Sequence, residues 1–210
     1  MTAIDWIFWD NDGVLVDTEN FYFQASAEVL SDVGVELSRE QFIEISLRRG
    51  ESVFDLAAGN KPYLDTLRER RNRRYAELLG QGITPIAGVT ETLRALHGQV
   101  RMAIVTSSQR DHFDLIHRNT DLLDYFDFIL TREDYRHTKP HPEPYLTALA
   151  RGCGDPQRCL VVEDSQRGLE SAVAAGLRCL VIPGHLNQQS DFSTAHAILK
   201  DITEVAAFLP

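Results

Sequence analysis

The chain has 210 residues, 43% of them hydrophobic and 25% charged, enough for one large globular domain or for a core carrying an insert. Its 21 basic residues against 31 acidic ones give a net charge of -10, a field that repels nucleic acid and anionic lipid and argues against either as partner. Cys153, Cys159 and Cys179 form no CxxC pair and read as reduced, mostly buried thiols. The N-terminus shows no basic leader region and no apolar run reaches membrane-spanning length, so a soluble, cytoplasmic protein is expected.

In chain order, an apolar run over Ile4–Trp9 predicts a buried strand that stops at Asp10-Asn11-Asp12-Gly13. The next stretch, residues 17–85, offers helical patterns over Glu19–Val33, Arg39–Leu47, Ser52–Ala58 and Pro62–Leu79, and no second strand. Pro85 and Gly88 mark the return to alternating elements. Val89, Leu93 and Leu96 share one helix face, with Gly98 placed to end it. Strand-like runs over Val100–Val105, Phe128–Leu130, Cys159–Val162 and Cys179–Ile182 then alternate with three helices. The first carries Phe113, Leu115 and Ile116. The second covers Pro142–Ala150, and the third carries Leu169, Ala172 and Val173 and closes at Gly176. This alternation predicts an α/β fold, a doubly wound (Rossmann-like) parallel sheet formed by residues 1–16 and 86–210. Residues 17–85 are then a helical cap inserted after the first strand. Because ligands of open α/β sheets bind beyond the carboxyl ends of the strands, such a cap lies over the site.

Those strand ends carry a pattern. The first gives Asp10 and Asp12, the second Thr106-Ser107-Ser108, the third leads to Lys139 in "HTKPHPEPY", and the fourth ends in Glu163-Asp164-Ser165. Carboxylates, a hydroxyl and an ammonium gathered at one sheet edge are costly unless a ligand or ion neutralises them. "DNDGVLVDTE" resembles the DxDGxxxDTE opening of the haloacid dehalogenase superfamily. "VTSS" resembles its second motif, "TKPHPEPY" its lysine motif, and "VVEDSQRGLESAVAAG" its acidic fourth motif. The four occur in the family's order along the whole core, and the insert has the position of the family's small helical cap.

The resemblance implies a magnesium-dependent phosphatase acting on a small phosphorylated metabolite, with a sugar phosphate as one candidate. Asp10 would be the nucleophile, forming an aspartyl phosphate, and Asp12 the general acid and base. Mg2+ would be held by Asp10, the main-chain carbonyl of Asp12 and Asp164, with Glu163 a direct or water-mediated ligand. Thr106 and the Ser107 N–H would bind phosphoryl oxygens, and Lys139 would hold the phosphate and Asp10. Gly13 would permit close backbone approach. Asp17, Thr18 and Glu19 read as a hinge and helix start. In the cap, the "SLRRGES" loop offers Arg49, then Arg48, as substrate-selecting residues. Arg71 falls on the apolar stripe Leu64, Leu67, Tyr75 and Leu78, where snorkelling or an acidic partner is favoured over a crevice role. Asn11 departs from the apolar residue common in relatives and is expected to bond a neighbouring loop.

Three other readings stand beside this one: a phosphomutase of the beta-phosphoglucomutase type, a dehalogenase, and a non-catalytic protein. The sugar-phosphate mutases of the same scaffold usually carry a histidine early in the first cap helix, where ungapped counting puts Tyr22. A dehalogenase would lack the second aspartate, which is present as Asp12. The third reading, a non-catalytic binding or regulatory protein, finds no support in the motifs, all of which keep their reactive residues. Oligomeric state is not legible.

Overall fold

In the computed structural model, which describes residues 3–209, the sheet begins where an apolar tetrapeptide has neighbours on both faces. Met1, Thr2 and Pro210, the outermost positions of the expected core segments and of the N-terminal reading, lie outside the described residues. Strand β1, Trp6–Trp9, is buried throughout and occupies the middle of the sheet. Strands β2 (Arg101–Val105) and β3 (Phe128–Leu130) extend it on one side. Strands β4 (Cys159–Glu163), β5 (Arg178–Val181) and β6 (Ala197–Ile198) extend it on the other. All pairings are parallel and the order is β3-β2-β1-β4-β5-β6. The strand order reverses about β1, which opens a crevice at the carboxyl ends of β1, β2 and β4.

The twofold alternation of a strand explains the two cores. Ile7 and Trp9 point into a cluster with Leu93, Phe113, Ile104 and Val162, under helices α4 (Val89–Leu96) and α5 (Arg110–His117). Trp6 and Phe8 point into the opposite cluster with Tyr145, Val161, Leu169 and Ala172, under α6 (Glu143–Gly152) and α7 (Gln166–Ala174). The five expected strands are present within a residue or two of their expected ends. Strand β6 has no counterpart in the sequence reading, because two residues carry too little pattern to register. Val173, read as a core residue of α7, is instead 42% exposed.

Between β1 and α4 the chain forms a second, helical layer. It contains α1 (Glu19–Ser31), α2 (Arg39–Phe42) and α3 (Lys61–Leu79). These pack on a cluster of their own built from Val29, Leu30, Phe42, Phe54 and Leu67. Sequence reading takes Arg39–Leu47 as one helix; here α2 passes into a π-helical turn over Ile43–Arg48, a geometry that often marks functional positions. The segment leaves and re-enters the core at one place: Val16 bridges Pro85, and Leu15 O accepts from Ile86 N at 2.9 Å. Among the described residues no helix is long and apolar enough to cross a membrane, and all three cysteines are free, with Cys153 exposed and Cys159 and Cys179 buried.

Candidate active site

The carboxyl ends of β1, β2 and β4 open into a cleft of about 420 Å3 that also borders α1, α3 and the π-helical turn. Asp10 follows β1 directly and is 8% exposed at its floor. Its Oδ1 accepts from Lys139 Nζ at 2.6 Å. Lys139, itself 5% exposed, spends its other donors on Val105 O at 2.8 Å and Glu163 Oε1 at 2.7 Å. The Lys139–Pro140 peptide is cis, where the sequence reading expects only an extended backbone.

Glu163 is fully buried and does not line the cleft. Its Oε1 also accepts from Tyr145 Oη at 2.6 Å, and its Oε2 accepts from Ser165 Oγ at 3.2 Å. Gly168 is required opposite it, since a Cβ there would overlap the carboxylate. Glu163, expected as a direct or water-mediated metal ligand, is held here by protein donors and bonds Lys139.

Asp164 is 2% exposed and accepts from Asn187 Nδ2 at 2.9 Å. Gly13, with φ +87°, lies against it: a side chain there would be strained and would overlap the Asp164 carboxylate. Thus Gly13 makes room for an acidic side chain. Asp10, Glu163 and Asp164 bring one oxygen each within 4.8 Å of one another.

Charge in this group is unbalanced. Among three buried carboxylates, one ammonium pairs with two, Asp10 and Glu163. Burial, reinforced by Glu163 and Asp12 and opposed by Lys139, pushes the Asp10 carboxyl up to about 8. Burial, then Glu19, Asp10 and Glu163, pushes Asp164 well above the usual carboxylate range. Glu19 at the start of α1 is driven to about 7 by burial and then by Asp17 and Asp12. An all-oxygen donor set short of positive charge fits a hard divalent cation such as Mg2+.

Asp12 faces the same cleft, as the alternation from Asp10 requires. Its Oδ2 accepts from Ser108 Oγ at 2.8 Å and Thr106 Oγ1 at 3.1 Å, and its Oδ1 from Thr18 Oγ1. Thr18 is the N-cap residue of α1, yet makes no side-chain cap bond; its hydroxyl is turned to Asp12. Ser107 also lines the cleft. The expected residues Asp10, Asp12, Thr106, Ser107, Lys139 and Asp164 are therefore brought together.

Arg48 and Arg49 are not. Arg49 is exposed and pairs with Glu51 at 3.1 Å and Glu44 at 3.9 Å. Arg48 donates to Glu44 Oε2 and to Gln189 O, both at 3.3 Å. Neither lines the cleft; Ser46 and Leu47 of the same turn do. Arg71 corrects the opposite expectation. It reaches the cleft from α3, with its guanidinium 4.2 Å from the Tyr22 ring centroid and 5.7 Å from that of Phe54. Its Nε donates to Asn72 Oδ1 at 2.9 Å, with no carboxylate partner among the described residues. The stripe it shares with Leu67 and Tyr75 curves round to the cleft, so its helical spacing was right and the surface it faced was not legible. Ser108, Arg167, Glu19 and Asn187 were also missed as site residues. Ser108, Glu19 and Arg167 had a signal, their places in "VTSS", "DNDGVLVDTE" and "VVEDSQRGLESAVAAG"; Asn187 had none.

Comparison with known proteins decides the family. The family model described as haloacid dehalogenase-like hydrolase matches residues 7–182. The chain belongs to the haloacid dehalogenase-like hydrolases. This hydrolase is 29% identical over 206 residues to hexitol phosphatase B of Escherichia coli (strain K12), covering 95% of this chain and 93% of that one. It is 31% identical over 180 residues to the phosphorylated carbohydrates phosphatase of Thermotoga maritima, covering 81% of each. Its fold superimposes on the structure of CbbY from Rhodobacter sphaeroides in complex with phosphate with a TM-score of 0.83, at 25% identity and 96% coverage of both chains.

Proposed function

We propose that this hydrolase is a phosphatase that removes the phosphoryl group from a small phosphorylated sugar or polyol through a covalent phosphoryl-Asp10 intermediate. The observation that carries the reading is the Asp10–Lys139 pair on the floor of the cleft. Lys139 fixes one oxygen of a buried carboxylate, while the other has no protein donor among the described residues. That is the arrangement of an oriented nucleophile.

Asp10, Asp164 and the main-chain carbonyl of Asp12 are the groups that would hold Mg2+, which when bound screens the repulsion between carboxylate and phosphoryl oxygens. Asp10 attacks phosphorus. Asp12 gives a proton to the departing ester oxygen and later takes one from the water that releases phosphate. Thr106 and Ser107, next to the attacked position, bind phosphoryl oxygens. Glu163 acts through Lys139, holding its ammonium toward Asp10. Residues 17–85 form the cap that closes over the cleft and excludes water, and Arg71 presents a cation to the far end of the substrate. Tyr22 stands where the mutases carry histidine and is packed edge-on against Tyr75 and under Arg71, which favours hydrolysis over internal transfer.

The relatives named above support the substrate class. Phosphate release from a panel of hexitol, hexose, pentose and glycerol phosphates, with and without Mg2+, tests it. The expected result is Mg2+-dependent turnover concentrated on sugar or polyol esters; release that ignores Mg2+ would overturn the reading.

A further inference from the structure

The residue between the two site aspartates is Asn11, and it is fully buried. Its main-chain carbonyl takes the turn that follows, accepting from Leu15 N at 2.8 Å and Val16 N at 3.1 Å. Its side chain lies between Asp12 and the end of α5. Nδ2 donates to Asp12 Oδ2 at 3.3 Å, and Oδ1 lies 2.8 Å from His117 Nε2. His117 is 4% exposed, packs at a tilt against Phe113 with ring centroids 4.5 Å apart, and has Nδ1 2.8 Å from Thr120 Oγ1.

The polarity of this chain has one solution. Asp12 Oδ2 already accepts from the Ser108 and Thr106 hydroxyls, so the amide nitrogen of Asn11 faces it and the amide oxygen faces His117. His117 then carries its proton on Nε2, and Nδ1 accepts from the Thr120 hydroxyl. Burial holds the imidazole neutral by lowering its pKa to about 4, in agreement with that tautomer. Counting donors at Asp12 gives an asymmetry. Oδ2 accepts from Asn11 and Ser108, and from Thr106 until that hydroxyl turns to a phosphoryl oxygen, whereas among the described residues Oδ1 accepts from Thr18 alone.

We infer that Asn11 and His117 form a polar strut that commits Asp12 Oδ2 to the protein and leaves Oδ1 as the oxygen that carries the transferred proton. This rests on the acid–base role proposed for Asp12. As the bond from Asp10 to phosphorus forms, the ester P–O bond breaks and its electron pair goes to the ester oxygen. The proton on Asp12 Oδ1 passes to that oxygen. Asn11 touches no substrate atom; it is a positioning residue.

The test uses the dependence on leaving group. 4-Nitrophenyl phosphate expels a stabilised anion that needs no proton, whereas a hexitol 6-phosphate expels an alkoxide that does. The ratio of kcat/KM for the two esters isolates the step in which the leaving group departs. Asn11→Leu should raise the preference for the nitrophenyl ester about tenfold, chiefly through loss of kcat/KM on the hexitol ester. Asn11→Leu strands the buried His117 N–H, so the double variant Asn11→Leu/His117→Phe, apolar on both sides, is made alongside it. It should show the same tenfold shift and decides the matter where the single variant does not fold. A preference within twofold of wild type in the double variant overturns the strut. So does an equal loss on both esters. If wild type hydrolyses neither ester with Mg2+, the proposed function fails and takes the strut with it; a wild type active on both with an unmoved ratio removes the strut alone.

Discussion

Removing divalent cation and raising the pH from about 7 to about 8.5 loads the cleft with charge that Lys139 cannot balance. The folded-state pKa of Asp10, about 8, lies above its ordinary value of 3.8, so the folded protein holds a proton that the unfolded chain has released. The stability tied to that proton is complete below the unfolded value and is lost as pH rises through about 8. The window has a lower limit because His117 works in the opposite sense. Its pKa is lowered to about 4, so it adds stability as pH rises toward its ordinary value of 6.5 and contributes nothing beyond it. Glu19, raised to about 7, is nearly spent at the start of the window. Each pH unit below 8 therefore costs about 1.4 kcal/mol, and the interval as a whole about 1–2 kcal/mol. For a chain of this length that is a fall of roughly 3–6 °C in Tm. Mg2+ at about a hundredfold over its Kd should return about 2.7 kcal/mol, most of it at the higher pH. Thermal unfolding of metal-stripped protein across this range, with and without Mg2+, measures both effects. A Tm that stays flat or rises with pH, together with indifference to Mg2+, would refute the reasoning.

Three substitutions probe the same site. Lys139→Met leaves Asp10 and Glu163 buried without their shared ammonium and should cost about 3–5 kcal/mol in urea unfolding near neutral pH, along with turnover. Gly13→Ala introduces a side chain at φ +87° against Asp164; about 1–3 kcal/mol should be lost, and Mg2+ titration should show weaker binding, since the displaced carboxylate is an intended ligand. Arg71→Ala, read by steady-state kinetics, should raise KM for sugar or polyol phosphates about tenfold while kcat changes little, because Arg71 enters the cleft from helix α3, whereas Asp10 follows β1.

Much of this was legible in the sequence for physical reasons that differ from element to element. Buried parallel strands read as unbroken apolar runs, so β1 to β5 stood out, while the two-residue β6 had no pattern to find. Asp10, Asp12, Thr106, Lys139 and Asp164 were found because each sits at a strand end or on the Lys139 loop. The backbone alone brings those places to one edge of the sheet. The helical layer between β1 and α4 was less readable. Whether Arg48, Arg49 or Arg71 faces the cleft depends on how the helical layer lies on the core, and local spacing does not encode that. Arg49 found Glu44 and Glu51 nearby, while Arg71 found aromatic rings and the cleft. Glu163 is expected as a direct or water-mediated ligand; it keeps an oxygen within 4.8 Å of Asp10 and Asp164, while its own strand face holds Lys139 and Tyr145. For Asn11 a bond to a neighbouring loop was expected; its partner is instead His117 at the end of helix α5, 106 positions away.

The central claim is that Asp10 carries the phosphoryl group. Rapid acid quench of the Mg2+-loaded enzyme during turnover, followed by peptide mass spectrometry, tests it most directly. The predicted result is the mass of one phosphoryl group on the peptide containing Asp10, removed by hydroxylamine and absent from Asp10→Asn. Turnover by Asp10→Asn at the wild-type rate, with no phosphorylated peptide in either protein, would contradict it.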